Sequence, residues 1–171
     1  MFISKSKISY PITLSNDIAF VKRNLSIDIN ETEDDEFVNQ LIESATELTE
    51  GQINQDIAYT SNIVTLDDFS GCDLIINQGN LNTITSIINN DTSTAITAYE
   101  SKKSYSQFTI SFDPAIDCES LTINFTTGWV NASDVPKALK QAILSKTLGL
   151  YNHTDSYDSV WETFCNQHKL L

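Results

Sequence analysis

Apolar and polar residues repeat with two different periods along this chain, and the change of period divides it. Between residues 14 and 57 apolar side chains recur three and four positions apart. Ile18, Val21 and Leu25 form one such set, and Phe37, Val38, Leu41, Ile42, Ala45 and Leu48 form a longer one. This is the spacing of amphipathic helices. A first helix is expected from a Ser15 cap to about Leu25, after an extended, mobile arm (residues 1–13) in which Pro11 opposes helix. A second starts at a Thr32 cap, with Glu33, Asp34 and Asp35 complementing the helix dipole. Its polar face carries Glu36, Glu43, Glu47 and Glu50, and Gly51 loosens or ends it.

From about residue 58 the period falls to two. Candidate strands cover residues 62–66, 73–76, 83–88, 94–99, 107–112 and 121–126. Gly71, Gln78-Gly79-Asn80, Asn89-Asn90-Asp91 and Asp113-Pro114 read as the turns between them. Asn89-Asn90-Asp91 is expected to close a hairpin pairing residues 84–88 with 95–99. Strands so short and so rich in Thr and Asn predict a sheet with little core of its own, packed on the second helix or on a neighbouring subunit. Helical spacing then returns. Ser133 or Asp134 can cap a third helix, with Pro136 in its first turn, where a missing N–H costs nothing. That helix, residues 135–151, is apolar on two sides: Leu139, Ala142, Ile143 and Leu150 on one, Leu144, Leu148 and Tyr151 on the other. A helix buried on two sides needs two partners. A fourth, residues 157–169, carries Val160, Trp161, Phe164 and Cys165, and an apolar tail, Leu170-Leu171, follows it.

These elements predict an α+β fold, with N- and C-terminal helices packed as a small bundle and a small antiparallel β-sheet inserted between them. The expected segments are the arm 1–13, a helical segment 14–57, a β-rich insertion 58–127 and a C-terminal helical segment 128–171, within one compact domain. At 171 residues the chain can bury a sizeable core.

Charge narrows the function classes. The net charge is −13, and no Lys or Arg occurs between Arg23 and Lys102. Such a surface repels phosphates and disfavours tight binding to duplex DNA. It is compatible with a solvated acidic face or with an acidic mimic of DNA. No apolar run approaches the roughly 18 residues that cross a membrane, and Lys5 and Lys7 interrupt the only stretch that could serve as a signal peptide. Cys72, Cys118 and Cys165 are odd in number and widely spaced, and read as reduced, buried or half-buried thiols.

Catalytic constellations are missing from the sequence. The five glycines are isolated, so there is no phosphate-cradling loop. His153 and His168 stand near the C-terminus without a nucleophile motif. Asp155 and Asp158 beside His153 read as a solvated linker, and Asp34-Asp35 and Asp67-Asp68 do not follow a calcium-loop pattern. No catalytic, cofactor-binding or metal-binding residue is predicted, and the chain does not read as an enzyme.

Three segments together carry a family resemblance. They are Leu14-Ser15-Asn16-Asp17-Ile18-Ala19-Phe20-Val21-Lys22-Arg23-Asn24-Leu25, then Thr32-Glu33-Asp34-Asp35 leading into Leu41-Ile42 and Ala45, and last the strand Leu121–Thr126 running through Thr127-Gly128-Trp129 into Val135-Pro136-Lys137-Ala138-Leu139-Lys140-Gln141-Ala142-Ile143 and Tyr151. In this order and spacing the chain resembles the head–tail connector (head-completion or adaptor) proteins of tailed bacteriophages. The resemblance implies a structural virion protein, made in the host cytoplasm and placed in the neck. It would form a ring of about twelve identical subunits beneath the portal, complete the DNA-filled head and offer a platform for the tail. Implied partners are the portal protein, a tail or stopper (tail-completion) protein and further copies of the chain. Double-stranded DNA would pass through the channel without specific binding, and neither membrane nor cofactor is implied. Trp161, Phe164, Leu170 and Leu171 become candidates for docking on the portal, Leu144, Leu148 and Tyr151 for subunit contacts, and Glu36, Glu43, Glu47 and Glu50 for an acidic channel face. The main alternative is an acidic DNA-mimic inhibitor. A carbohydrate-binding module would need exposed aromatics on the sheet, for which Tyr99, Tyr105 and Phe108 are the supply.

Overall fold

The computed structural model describes residues 2–12, 21–104 and 107–169. The fold is α+β and divides into two compact units, one made of Met1–Ser9 with Ala58–Trp129, the other of Tyr10–Ile57 with Val130–Leu171.

The first unit is a six-stranded antiparallel sheet of β1 (Phe2–Ser9), β2 (Tyr59–Ile76), β3 (Leu81–Asn89), β4 (Thr94–Ala95), β5 (Tyr99–Lys103) and β6 (Phe108–Thr127). The order is β1-β2-β6-β3-β4, with β5 paired to the first part of β6. The expected mobile arm is an edge strand, pairing from Phe2↔Thr65 to Ser9↔Tyr59. Its Lys5 and Lys7 suit an edge, because charged side chains there discourage further strand addition.

Two expected turns lie inside long strands instead. Gly71 is within β2 and Asp113-Pro114 within β6. Gly71 pairs with Ile116 while Asp73 pairs with Ser111, so β6 bulges across residues 112–115. A bulge leaves residues out of the hydrogen-bond ladder, and that is where a strand tolerates proline. The predicted hairpin exists but is short, with only Ile88↔Ala95 and Asn89↔Thr94 paired. β3 instead runs its length along β6, from Leu81↔Thr127 to Asn89↔Leu121. The loop between β3 and β4 is pinned to β6 as well. Asn90 Nδ2 donates to Ser120 Oγ (2.8 Å) and Thr122 Oγ1 (2.9 Å), and the Asp91 carboxylate accepts from the backbone N–H groups of Glu119 (2.7 Å) and Ser120 (3.0 Å).

The sheet has a core of its own, contrary to the sequence expectation. Val64, Leu66, Leu74, Ile76, Leu81, Ile87, Phe108, Ile110, Phe112, Leu121, Ile123 and Phe125 are buried in one cluster within this unit. The rings of Phe108 and Phe125 show how. They belong to the same strand, and a straight strand would hold them about 55 Å apart at roughly 3.3 Å per residue. Their centroids are 5.0 Å apart, edge to face. β6 therefore bends back on itself, and the sheet curls around its own apolar face.

The second unit holds α1 (Asp35–Ile53), α2 (Lys137–Tyr151) and α3 (Asp158–Lys169), which pack together, and residues 21–25 are also helical. The expected start of the first helix, with Ser15 and Ile18, lies outside the described residues. α1 begins at Asp35 after Asp34 rather than at a Thr32 cap, and runs through Gly51 until Asn54 turns left-handed (φ 56°). α2 begins directly after Pro136, and a short 3-10 turn, Ala132–Asp134, precedes it.

Lys22 organises the approach to α1. Its side chain is 1% exposed, lies 2.6 Å from an Asp35 carboxylate oxygen, and donates to the backbone carbonyls of Ile29 and Glu31. One buried ammonium thus draws together the helical segment at residues 21–25, the following loop and the first residue of α1.

His168, on α3, is buried, and burial lowers its pKa below the usual 6.5 because the charged form loses hydration. The folded protein therefore holds this imidazole neutral at a pH where the unfolded chain already takes up a proton. The stability linked to His168 is full above pH 6.5 and falls as pH drops from there towards the folded pKa. Urea midpoints measured at pH 7.5 and 5.5 should separate more for the native protein than for His168→Gln. Equal separations would show that the imidazole is solvated.

Candidate assembly surface

With about 100° of turn per residue, α1 presents three faces. Val38, Ile42, Ala45 and Thr49 form the buried one. Phe37, Leu41 and Leu48 fall within about 40° of each other, some 100° away around the helix. Phe37 is 48% and Leu48 45% exposed, and Leu41 is half-buried. The single stripe expected from the sequence is thus two, and only one of them is core. The signal was the width of the set, because Phe37 to Ile42 spans about 140°, more than one packing seam occupies. Beyond the exposed apolar stripe come Glu36, Glu43 and Glu47, all exposed.

Glu50 does not share that acidic face. It is buried, and its Oε1 accepts a hydrogen bond from the Ile57 backbone N–H at 2.7 Å. It therefore closes the turn after α1, where a carboxylate satisfies a backbone donor that the chain could not otherwise reach. Glu43 and Glu47 act on Tyr10, whose hydroxyl donates to Glu47 Oε1 at 2.8 Å. The Tyr10 pKa is raised, first by desolvation, then by that hydrogen bond and the charges of Glu47, Glu43 and Glu50. A phenolate is disfavoured wherever negative charge is already concentrated.

The residues of the C-terminal helices are placed less freely than the sequence suggests. Trp161 is half-buried and engaged on both sides. Its Nε1 donates to Thr49 Oγ1 on α1 at 3.0 Å, and Lys146 of α2 sits over its ring, 4.6 Å from the centroid. Lys146 is held there by Asp158 at 2.7 Å, so that aspartate is an ion-pair partner at the start of α3 and not part of a solvated linker. Phe164 is half-buried, whereas Leu170 and Leu171 lie outside the described residues. On α2, Leu144 is buried and Leu148 and Tyr151 are half-buried. Cys118 and Cys165 are buried thiols, but Cys72 is exposed, at the register shift between Gly71 and Asp73 of β2.

Leu144 helps to line a cavity of about 490 Å³ in the helical unit, together with Val21, Ile42, Ile143 and the chain of Lys137 and Lys140. The sequence did not reveal this cavity, since its walls come from segments around residues 12, 21, 42 and 140. Among the described residues, no group of three or more His, Cys, Asp or Glu side chains could hold a metal ion. No helix among them is long and apolar enough to cross a membrane. Of the aromatics that a sugar-binding sheet would need, Phe108 is buried, Tyr99 is half-buried and Tyr105 lies outside the described residues.

No family model and no curated protein matches the chain. Among solved structures it is similar to a chain in the neck of an empty gene transfer agent (GTA) particle computed with C6 symmetry. There the identity is 15% and the TM-score 0.72, over 89% of this chain and 84% of that one. A chain in the virion of the native GTA particle gives 16% identity and a TM-score of 0.71, with the same coverage. A chain in the neck of the native GTA particle computed with C12 symmetry gives 15% and 0.67, again over 89% and 84%. At these identities the likeness is one of fold, and it extends over most of both chains.

Proposed function

We propose that this protein is a structural component of a particle neck, a connector that forms a ring beneath the portal, completes the filled head and carries the tail. The observation that carries this reading is the fold likeness to neck chains, a TM-score of 0.72 over 89% of the chain. The symmetry of those necks, C6 and C12, supports a ring as the working assembly. A ring of identical subunits needs two different, complementary surfaces on each copy, and the exposed stripe on α1 is one apolar surface with no other evident use.

In this ring Glu36, Glu43 and Glu47, which flank the exposed apolar stripe of α1, belong to the margin of a subunit contact and not to the channel wall. Phe164 and the following Leu170-Leu171 dock on the portal, and Leu148 and Tyr151 lie at subunit contacts. Trp161 belongs to the interior of the helical unit more than to the docking surface, since both its ring and its N–H are engaged within the chain.

The test is assembly. The purified protein, mixed with the portal protein of the same particle, should give a discrete complex by mass photometry and a ring on the portal in negative-stain images. Templating is part of the expectation, so a monomer in isolation is compatible with it. A protein that stays monomeric in the presence of the portal, at micromolar concentration of both, would overturn the reading.

A further inference from the structure

We infer that neighbouring copies of this chain join head to tail, with the apolar stripe of α1 from one copy seated in the lysine-bordered cavity of the next. The inference rests on the ring reading and names the surfaces that would build the ring.

Both surfaces belong to the helical unit. One consists of Phe37, Leu41 and Leu48, with Glu36, Glu43 and Glu47 along one side. The other is the cavity lined by Val21, Ile42, Ile143 and Leu144 with Lys137 and Lys140. One is apolar with an acidic margin, and the other is apolar with a basic margin. Copies of a chain with net charge −13 repel one another. A contact between them is favourable only where the few cations of one meet the acids of the next. In the helical unit Lys22 is buried against Asp35 and Lys146 is paired with Asp158. Arg23 is exposed elsewhere on this unit, whereas Lys137 and Lys140 have no ion-pair partner among the described residues and both line the cavity.

The two surfaces are not the same patch. Ile42 faces the cavity, and at about 100° per residue it stands roughly 120° around α1 from the exposed stripe. A contact between them is therefore heterologous and leaves a free surface at each end, so it propagates into a ring or filament instead of stopping at a symmetric dimer.

The experiment replaces Phe37 with the photo-crosslinker p-benzoylphenylalanine and irradiates the full-length protein, concentrated alone and bound to the portal. The expected product is a ladder that passes beyond the dimer, with crosslinked peptides mapping to α2 around Gln141–Leu144. The double variant Lys137→Glu/Lys140→Glu should reduce the ladder by at least about tenfold, since like charges then face each other. Adding Glu36→Lys and Glu43→Lys should restore it. A product that stops at the dimer, crosslinks mapping to α1 or to the portal, or no crosslink at all would each overturn the inference. Rings that still form on the portal with the double lysine variant would also overturn it while leaving the ring reading intact. A crosslinked ladder without any portal complex would do the reverse.

Discussion

Phe125→Ala should lower the unfolding free energy by about 3–5 kcal/mol, the usual range for removing a buried aromatic ring from a core. Phe125 is 1% exposed and its ring meets Phe108 edge to face at 5.0 Å. The two residues are on one strand, so this contact exists only because β6 folds back. That makes the pair a test of the curled sheet as well as of core packing. Phe108→Ala should cost a similar amount, and the double variant should cost less than the sum, because the second substitution enlarges a cavity already opened by the first. Urea unfolding followed by circular dichroism gives all three values. Costs that simply add would place the two rings in separate environments and contradict the folded-back strand.

Lys22→Met is expected to destabilise the protein by about 3–5 kcal/mol, the range seen when one partner of a buried ion pair is removed. Methionine is close to lysine in length, so the loss would come from polar groups and not from a void. The Ile29 and Glu31 carbonyls lose their donor, and Asp35 loses its cation at the start of α1. Asp35→Asn should cost a comparable amount, because it leaves the buried Lys22 ammonium without its counter-charge even though the two carbonyls remain. The measurements are urea midpoints together with amide exchange in residues 26–34, which should quicken in Lys22→Met. Unchanged midpoints would show that the ammonium reaches solvent.

The two predictions mark different kinds of legibility. The helices around Val38, Ile42, Leu139 and Ile143 could be read directly, since their spacing is a property of consecutive residues. So could the strand period of Leu121, Ile123 and Phe125, and with it the α+β class. Lys22 could not be singled out. In the sequence it is one lysine in a helical segment, and its burial depends on a loop that returns carbonyl oxygens to it. Glu50 was misplaced for a similar reason: its helical position resembles that of Glu43 and Glu47, and only the turn after α1 brings the Ile57 N–H within reach.

Among the candidate site residues, Glu36, Glu43 and Glu47 are exposed as their positions on the polar face of α1 imply. Trp161 is tied to Thr49, more than a hundred residues earlier in the chain, a contact that no local pattern contains. The lysine-bordered cavity draws on residues near 12, 21, 42 and 140 and was equally hidden. Gly71 and Asp113-Pro114 read as turns in the sequence because both are turn-forming in isolation. In the fold they share one irregularity in paired strands, which the partner strand stabilises.

By itself, then, the sequence determined the α+β class, the order of helical and β-rich segments, the acidic character of the α1 surface and the lack of a recognisable catalytic motif, all of which follow from residue identity and short-range spacing. Tertiary structure alone decided that β6 bends until its two ends touch, that the sheet encloses its own core, and that one apolar stripe of α1 is covered while the other stays open. Those outcomes depend on which distant segments arrive to exclude water, and period and composition do not encode that arrival.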